Sequence, residues 1–215
     1  MDGFDLIILD FDGTLFDTRP AIVACLRLTL EYFGHSVDES LIGHVISLGL
    51  TLEATFERLV MASNTDLSMY VENYRKIYEA ESCESLATIY PGVEQAIKRW
   101  FAQGIPLVIL SNKGDKAIHS LLQSHDLSVY FSLVIGSNTV GEKKPATHPY
   151  DKFISPKFAH IPAKNTLVIG DTAADIEFAN NIGASSLWVR YGYGEEQRCM
   201  DLKPDQISDH WLSRS

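Results

Sequence analysis

Cysteine is scarce in this chain of 215 residues: Cys25, Cys83 and Cys199 are odd in number, far apart and without C-x-x-C spacing. That excludes a disulfide framework and a zinc knuckle, and it suits a reducing cytoplasm. Basic charge is also short. Eighteen Lys and Arg stand against 28 Asp and Glu, giving a net charge of −10, so no cationic excess exists to displace counterions from a nucleic-acid backbone. No apolar run reaches the length that spans a bilayer. The opening Met1 to Asp5 lacks the basic and apolar regions of a secretory signal, and the expectation is a cytoplasmic protein without nucleic-acid or membrane partners. The seven histidines show no metal-binding spacing. Internal repeats and low-complexity tracts are missing as well.

What the chain does have is material for a core: 46% hydrophobic residues against 21% charged, in a length that fits one large domain or one domain with a modest insertion. Short β-branched bursts at Leu6 to Leu9, Leu107 to Leu110, Leu133 to Ile135, Leu167 to Ile169 and Leu187 to Val189 read as strands buried on both faces. Helical patterns separate them. Pro91 to Gln103 sets Val93, Ile97 and Trp100 on one side, with Pro91 in the first turn and Gly104 as the stop. Ala117 to His125 groups Ile118, Leu121 and Leu122. Strands alternating with helices predict an α/β fold with an open, doubly wound parallel sheet.

Residues 17–86 break the alternation with four helical patterns and no strand. Asp17 or Thr18 can cap the first, with Pro20 in its first turn; Asp38 starts the second, Thr51 the third, and the fourth runs from Asp66 past Tyr70, Tyr74 and Tyr78. Those tyrosines fall at i, i+4 and i+8, which is the spacing of a packed helix face. The expected organisation is an α/β core of residues 1–16 and 87–215 around an all-helical insertion of residues 17–86.

Chemistry gathers at strand ends, where open parallel sheets bind ligands. Asp10-Phe11-Asp12-Gly13-Thr14 follows the first strand, and carboxylates at i and i+2 of a turn can divide nucleophilic and proton-transfer work. An Asx-type turn explains the same residues without function. Asp171 and Asp175 follow another strand, with a helix N-cap as the plain alternative for Asp171. Acids at two neighbouring strand ends concentrate like charge unless a cation sits between them. Oxygen ligands without His or Cys point to a hard ion such as Mg²⁺. Ser111-Asn112-Lys113 at a helix start suits an anion, and in Glu142-Lys143-Lys144-Pro145 a lysine can neutralise a phosphate oxygen. Together these segments describe a phosphoryl-transfer site.

The same residues resemble a known family. Asp10-Phe11-Asp12-Gly13-Thr14-Leu15, Ser111-Asn112-Lys113, Lys144-Pro145 and Gly170-Asp171 through Asp175 are similar to the four motifs of haloacid dehalogenase-superfamily hydrolases, most of all the phosphoglycolate-phosphatase-like branch with a helical cap. The resemblance covers nearly the whole chain and implies that residues 17–86 are the cap domain. It implies that Asp10 attacks phosphorus, forming an aspartyl-phosphate, and that Asp12 protonates the leaving group and then activates water. Mg²⁺ would be held by Asp10, the Asp12 carbonyl and Asp171, with Asp175 direct or through water. Ser111, Asn112 and Lys144 would hold the phosphoryl oxygens of a small phosphorylated metabolite, with Lys144 preferred to Lys143 because it precedes Pro145. Gly49 to Glu53 resembles a substrate-facing helix start and Tyr191 to Gly194 a loop after the last strand; a capped core helix and a simple turn are the alternatives. A phosphosugar mutase uses the same aspartates. A receiver-like protein that accepts phosphate without turnover also combines acids, a hydroxyl residue and a lysine, but Asp12 and the long helical insertion oppose it.

Overall fold

The computed structural model describes residues 3–36, 38–61, 66–80, 83–139 and 141–211; Met1 and Asp2 of the opening segment lie outside them. In chain order the elements are β1 (Leu6–Leu9), β2 (Phe16–Asp17), α1 (Arg19–Tyr32), α2 (Glu39–Ser47), α3 (Leu52–Val60), α4 (Leu67–Ala80) and β3 (Thr88–Ile89). They continue with α5 (Val93–Ala102), β4 (Leu107–Leu110), α6 (Asp115–Ser124), β5 (Leu133–Ile135) and β6 (Thr166–Gly170), then α7 (Ala173–Ile182), β7 (Ser185–Val189), α8 (Glu196–Asp201) and β8 (Gln206–Ser208).

All five apolar bursts are strands of one six-stranded sheet, ordered β5-β4-β1-β6-β7-β8. Every neighbouring pair in it is parallel. The chain winds from β1 outward to β5 and then returns to lay β6 against the other side of β1. That reversal leaves a crevice beyond the carboxyl ends of β1 and β6.

Because side chains alternate across a strand, β1 feeds both faces. Ile7 and Leu9 join Val93, Ile97 and Trp100 of α5 and Ile118, Leu121 and Leu122 of α6. Leu6 and Ile8 join Phe178 and Ala179 of α7 with Ile154 and Phe158. The sheet is thus doubly wound, as the unbroken apolar strands require.

Helices α1 to α4 follow one another between β2 and β3, and their N-termini form where the sequence puts them. Asp38 and Thr51 accept hydrogen bonds from Ser40 N and Ala54 N at the starts of α2 and α3. Leu26, Leu30, Val45, Phe56, Tyr70, Tyr74 and Tyr78 form a core of their own. The tyrosine stripe packs, with Phe33 stacked on Tyr70 at 4.0 Å between centroids. Entry and exit of this helical layer are joined, because β2 and β3 pair antiparallel through Phe16–Ile89 and Asp17–Thr88.

Two details differ from the sequence expectation. Gly92, at φ +90°, is the N-cap of α5, so Pro91 sits in the turn before the helix rather than in its first turn. The short strands β2, β3 and β8 carry no alternation long enough to be read. Among the described residues, no helix is long and apolar enough to cross a membrane.

Ile8, 1% exposed in the central strand, tests the packing. Ile8→Ala should lower unfolding stability by about 2–5 kcal/mol. Urea denaturation should show it as a lower midpoint at unchanged slope.

Candidate active site

The β1–β6 ladder builds the centre of the site. Leu9 pairs with Ile169, and Asp10 N donates to Ile169 O at 2.9 Å, so the backbone order continues one residue past β1. Asp10 and Asp171 therefore emerge side by side from adjacent strand ends. Asp175 arrives from the first turn of α7. Thr172, not Asp171, is the N-cap of that helix, and a capping box joins it to Asp175. Asp175 Oδ2 accepts from Thr172 N at 3.0 Å and from Thr172 Oγ1 at 2.7 Å. Oxygens of Asp10, Asp171 and Asp175, all buried, lie within 4.8 Å of one another.

One ammonium faces these three carboxylates. Lys144 Nζ donates to Asp10 Oδ1 at 2.6 Å and to Asp175 Oδ1 at 2.5 Å, with its side chain 4% exposed. Lys143 points away to Glu53 of α3, at 3.2 Å. Burial pushes the Asp10 carboxyl up to about 7, against the pull of Lys144. Burial and the neighbouring Asp10 and Asp175 charges raise Asp171 well above the carboxylate range. Burial opposes the Lys144 ammonium, yet Asp10 and Asp175 beside it hold its pKa above the ordinary lysine value. Three acids against one lysine leave a local excess of two negative charges, and an all-oxygen donor set of that charge fits a hard divalent cation.

The carboxylates are held from behind. Asp171 accepts from Thr14 Oγ1 at 3.1 Å and from Tyr193 N at 2.7 Å, and its carbonyl accepts from Trp188 Nε1 at 2.8 Å. Gly13, at φ +76°, turns the chain where a Cβ would fall on the Asp171 carboxylate. A side chain there would both strain the backbone and displace the acid.

Asp12 points elsewhere. Its Oδ1 accepts from Thr18 Oγ1 at 2.7 Å and pairs with Lys113 Nζ at 3.1 Å. Thr18 spends its hydroxyl on Asp12, so α1 is capped by Asp17, whose Oδ1 accepts from Arg19 N at 3.2 Å, and from the loop after β7. Tyr193 OH accepts from Thr18 N at 2.6 Å and Arg19 N at 2.7 Å, and donates to Asp17 Oδ1 at 3.0 Å. In the sequence, Lys113 and Tyr193 are members of a motif and of a loop without an individual role. Their only signals were adjacency to Ser111-Asn112 and membership of a glycine-flanked loop.

Ser111 is buried at the end of β4, where its N–H donates to Ile135 O at 3.0 Å and its hydroxyl accepts from Lys113 N at 3.3 Å. The Asn112 side chain reaches the helical layer, donating to Gly49 O at 3.2 Å. Gly49, at φ +63°, lies so close to α7 that a Cβ would stand 2.7 Å from Thr172 Oγ1. Between the helical layer and the sheet is a cavity of about 500 Å³. Asp10, Asp12, Ser111, Asn112, Lys113 and Lys144 line its floor, and Ile22, Leu26, Val45, Leu50, Tyr74, Arg75 and Tyr78 line its roof. Mostly apolar walls with a few convergent polar groups describe a small-molecule site.

Residues 7–189 match the haloacid dehalogenase-like hydrolase family. The chain is 28% identical to a phosphoglycolate phosphatase of Aliivibrio fischeri over 216 residues, covering 98% of this chain and 94% of that protein. It is 31% identical to a phosphoglycolate phosphatase of Aquifex aeolicus over 210 residues, covering 97% and 92%. The crystal structure of a predicted phosphoglycolate phosphatase from Haemophilus somnus is similar at a TM-score of 0.86, with 25% identity over 98% of this chain and 96% of that one.

The raised Asp10 fixes a pH dependence for the metal-free protein. Its pKa rises from 3.8 to about 7 on folding, so the folded state binds that proton more tightly than the unfolded chain. The stability it contributes is complete below the unfolded value and is lost as pH rises through about 7. Melting temperature in EDTA should therefore fall between about pH 5 and about pH 8. Added Mg²⁺ should raise it more at the upper pH, where protons no longer compete; an equal gain at both ends would contradict the cluster as a cation site.

Proposed function

The chain belongs to the haloacid dehalogenase-like hydrolases, as a phosphoric monoester hydrolase of their phosphoglycolate-phosphatase-like branch, and on that premise we propose that it is a Mg²⁺-dependent cytoplasmic phosphatase acting through an aspartyl-phosphate. Phosphoglycolate or a similarly small monoester is the substrate, and residues 17–86 are the cap that closes over its leaving group. The curated relatives named above support the substrate class.

One observation carries the assignment of roles: Asp10 stands at the end of the central strand, 2.6 Å from Lys144 Nζ, while Asp12, two residues on, is held apart on Thr18 and Lys113. An Asp10 oxygen attacks phosphorus as the bond to the ester oxygen breaks. Asp12 gives its proton to that departing oxygen, then takes one from the water that cleaves the phosphoryl group from Asp10. Ser111, the Asn112 backbone and Lys144 hold the phosphoryl oxygens, and positioning with charge neutralisation is what this transfer demands. Asp10, Asp171 and the Asp12 carbonyl would hold Mg²⁺, with Asp175 beside them, and the ion would offset the charge on nucleophile and phosphate.

Asp175 also has a supporting part. One of its oxygens is engaged by Thr172 and the other by Lys144, so it aims the lysine at Asp10.

Phosphate release from phosphoglycolate and a panel of phosphorylated metabolites, with Mg²⁺ and with EDTA, tests the proposal. Turnover should require Mg²⁺ and should fall at least about a thousandfold in Asp10→Asn. The variant should stay folded, because it removes one of three crowded acids. Turnover retained in Asp10→Asn would overturn the nucleophile. A phosphoryl group returned to a sugar instead of to water would mark a mutase.

A further inference from the structure

Each of the two acids after β1 has its own lysine: Lys144 contacts Asp10, and Lys113 contacts Asp12. Lys113 lies in the cavity with its side chain 7% exposed, Nζ 3.1 Å from Asp12 Oδ1. Its other side faces the helical layer, with Nζ 4.7 Å from the centre of the Tyr78 ring on α4. A desolvated ammonium over an aromatic face is a directional contact. Nearby, α4 is tied to α6 by Glu79 Oε2 and Lys116 Nζ at 2.8 Å, so the end of α4 that carries Tyr78 is seated on the core.

We propose that Lys113 is a positioning residue for Asp12, and that Tyr78 fixes Lys113, so that seating α4 on the sheet sets the carboxyl that moves the proton. The proposal rests on the phosphatase reading given above and adds a residue to it. Thr18 Oγ1 alone leaves Asp12 free to turn about one hydrogen bond; the ammonium supplies a second anchor from the opposite element. In the first step the Asp12 proton passes to the ester oxygen as its bond to phosphorus breaks and the Asp10 oxygen bonds to phosphorus. Asp12 is then a carboxylate with Lys113 still paired to it, oriented to accept a proton from the attacking water as the Asp10–phosphorus bond breaks.

Leaving-group dependence separates this role from phosphate binding or general structure. Phosphoglycolate expels an alkoxide and needs a donated proton, whereas p-nitrophenyl phosphate expels a stable phenolate and does not. Lys113→Met should lose about a hundredfold in kcat/KM on phosphoglycolate, the usual worth of a placed general acid, and only a few-fold on p-nitrophenyl phosphate. Lys113→Arg should recover most of the loss. Tyr78→Leu should shift the two substrates in the same sense by less. Equal losses on both substrates in Lys113→Met would overturn the proposal. A crystal structure of Lys113→Met gives a readout independent of turnover: the Asp12 carboxyl should leave its place beside Thr18, and an unmoved carboxyl overturns the inference. Wild-type protein inactive on both substrates would instead count against the phosphatase reading, with that crystal structure still deciding the part played by Lys113.

Discussion

Lys144 bridging Asp10 and Asp175 is the contact on which the site depends. Three carboxylates have been taken out of water at the end of a parallel sheet, and like charges at that spacing repel strongly in a medium of low polarisability. A single ammonium cannot balance them, so the arrangement is completed only by a cation or by protons. The fold bears this cost because each acid is anchored by something else. Asp10 is carried by the strand ladder, Asp171 by Thr14 and the Tyr193 amide, and Asp175 by its capping box. Preorganisation of this kind is what lets charge be stabilised without rearrangement during reaction.

The helical layer meets the core through a few polar and close-packed contacts. Tyr193, on the loop after β7, sits in the hydrophobic cluster of the helices and caps α1. Gly49 lets the α2–α3 connection lie against Thr172, while Asn112 holds its carbonyl. Tyr193, Gly49, Thr172 and Asn112 all line the cavity. The helices thereby complete the walls of a site whose reactive groups belong to the sheet.

Strands β1, β4, β5, β6 and β7 were legible because strands buried on both faces must be unbroken apolar runs. The four inserted helices were legible from capping residues and from the Tyr70–Tyr74–Tyr78 spacing. Asp10 and Asp171 were legible because each stands at the end of such a run. Asp175 was placed near Asp171, but its partner Thr172 was not, since a Thr and an Asp each admit several local roles. Lys113 was hidden by the ordinariness of a loop lysine: nothing in the order of residues says that Tyr78, from another layer, covers it. Short edge elements such as β8 escaped for a different reason, since two or three residues carry no periodicity.

Sheet order also bears on how the molecule is made. Ile7 pairs with Leu107, a hundred residues later, and Leu6 with Thr166, a hundred and sixty later. On a ribosome β1 therefore emerges without either neighbour, while α1 to α4, whose contacts are near in the chain, precede β6 and gain the Tyr193 cap on α1 only after it. Local contacts form first because they close short loops. The helical layer precedes most of the sheet it packs against, and Asp10 stays apart from Asp171 and Asp175 until that later segment has been synthesised.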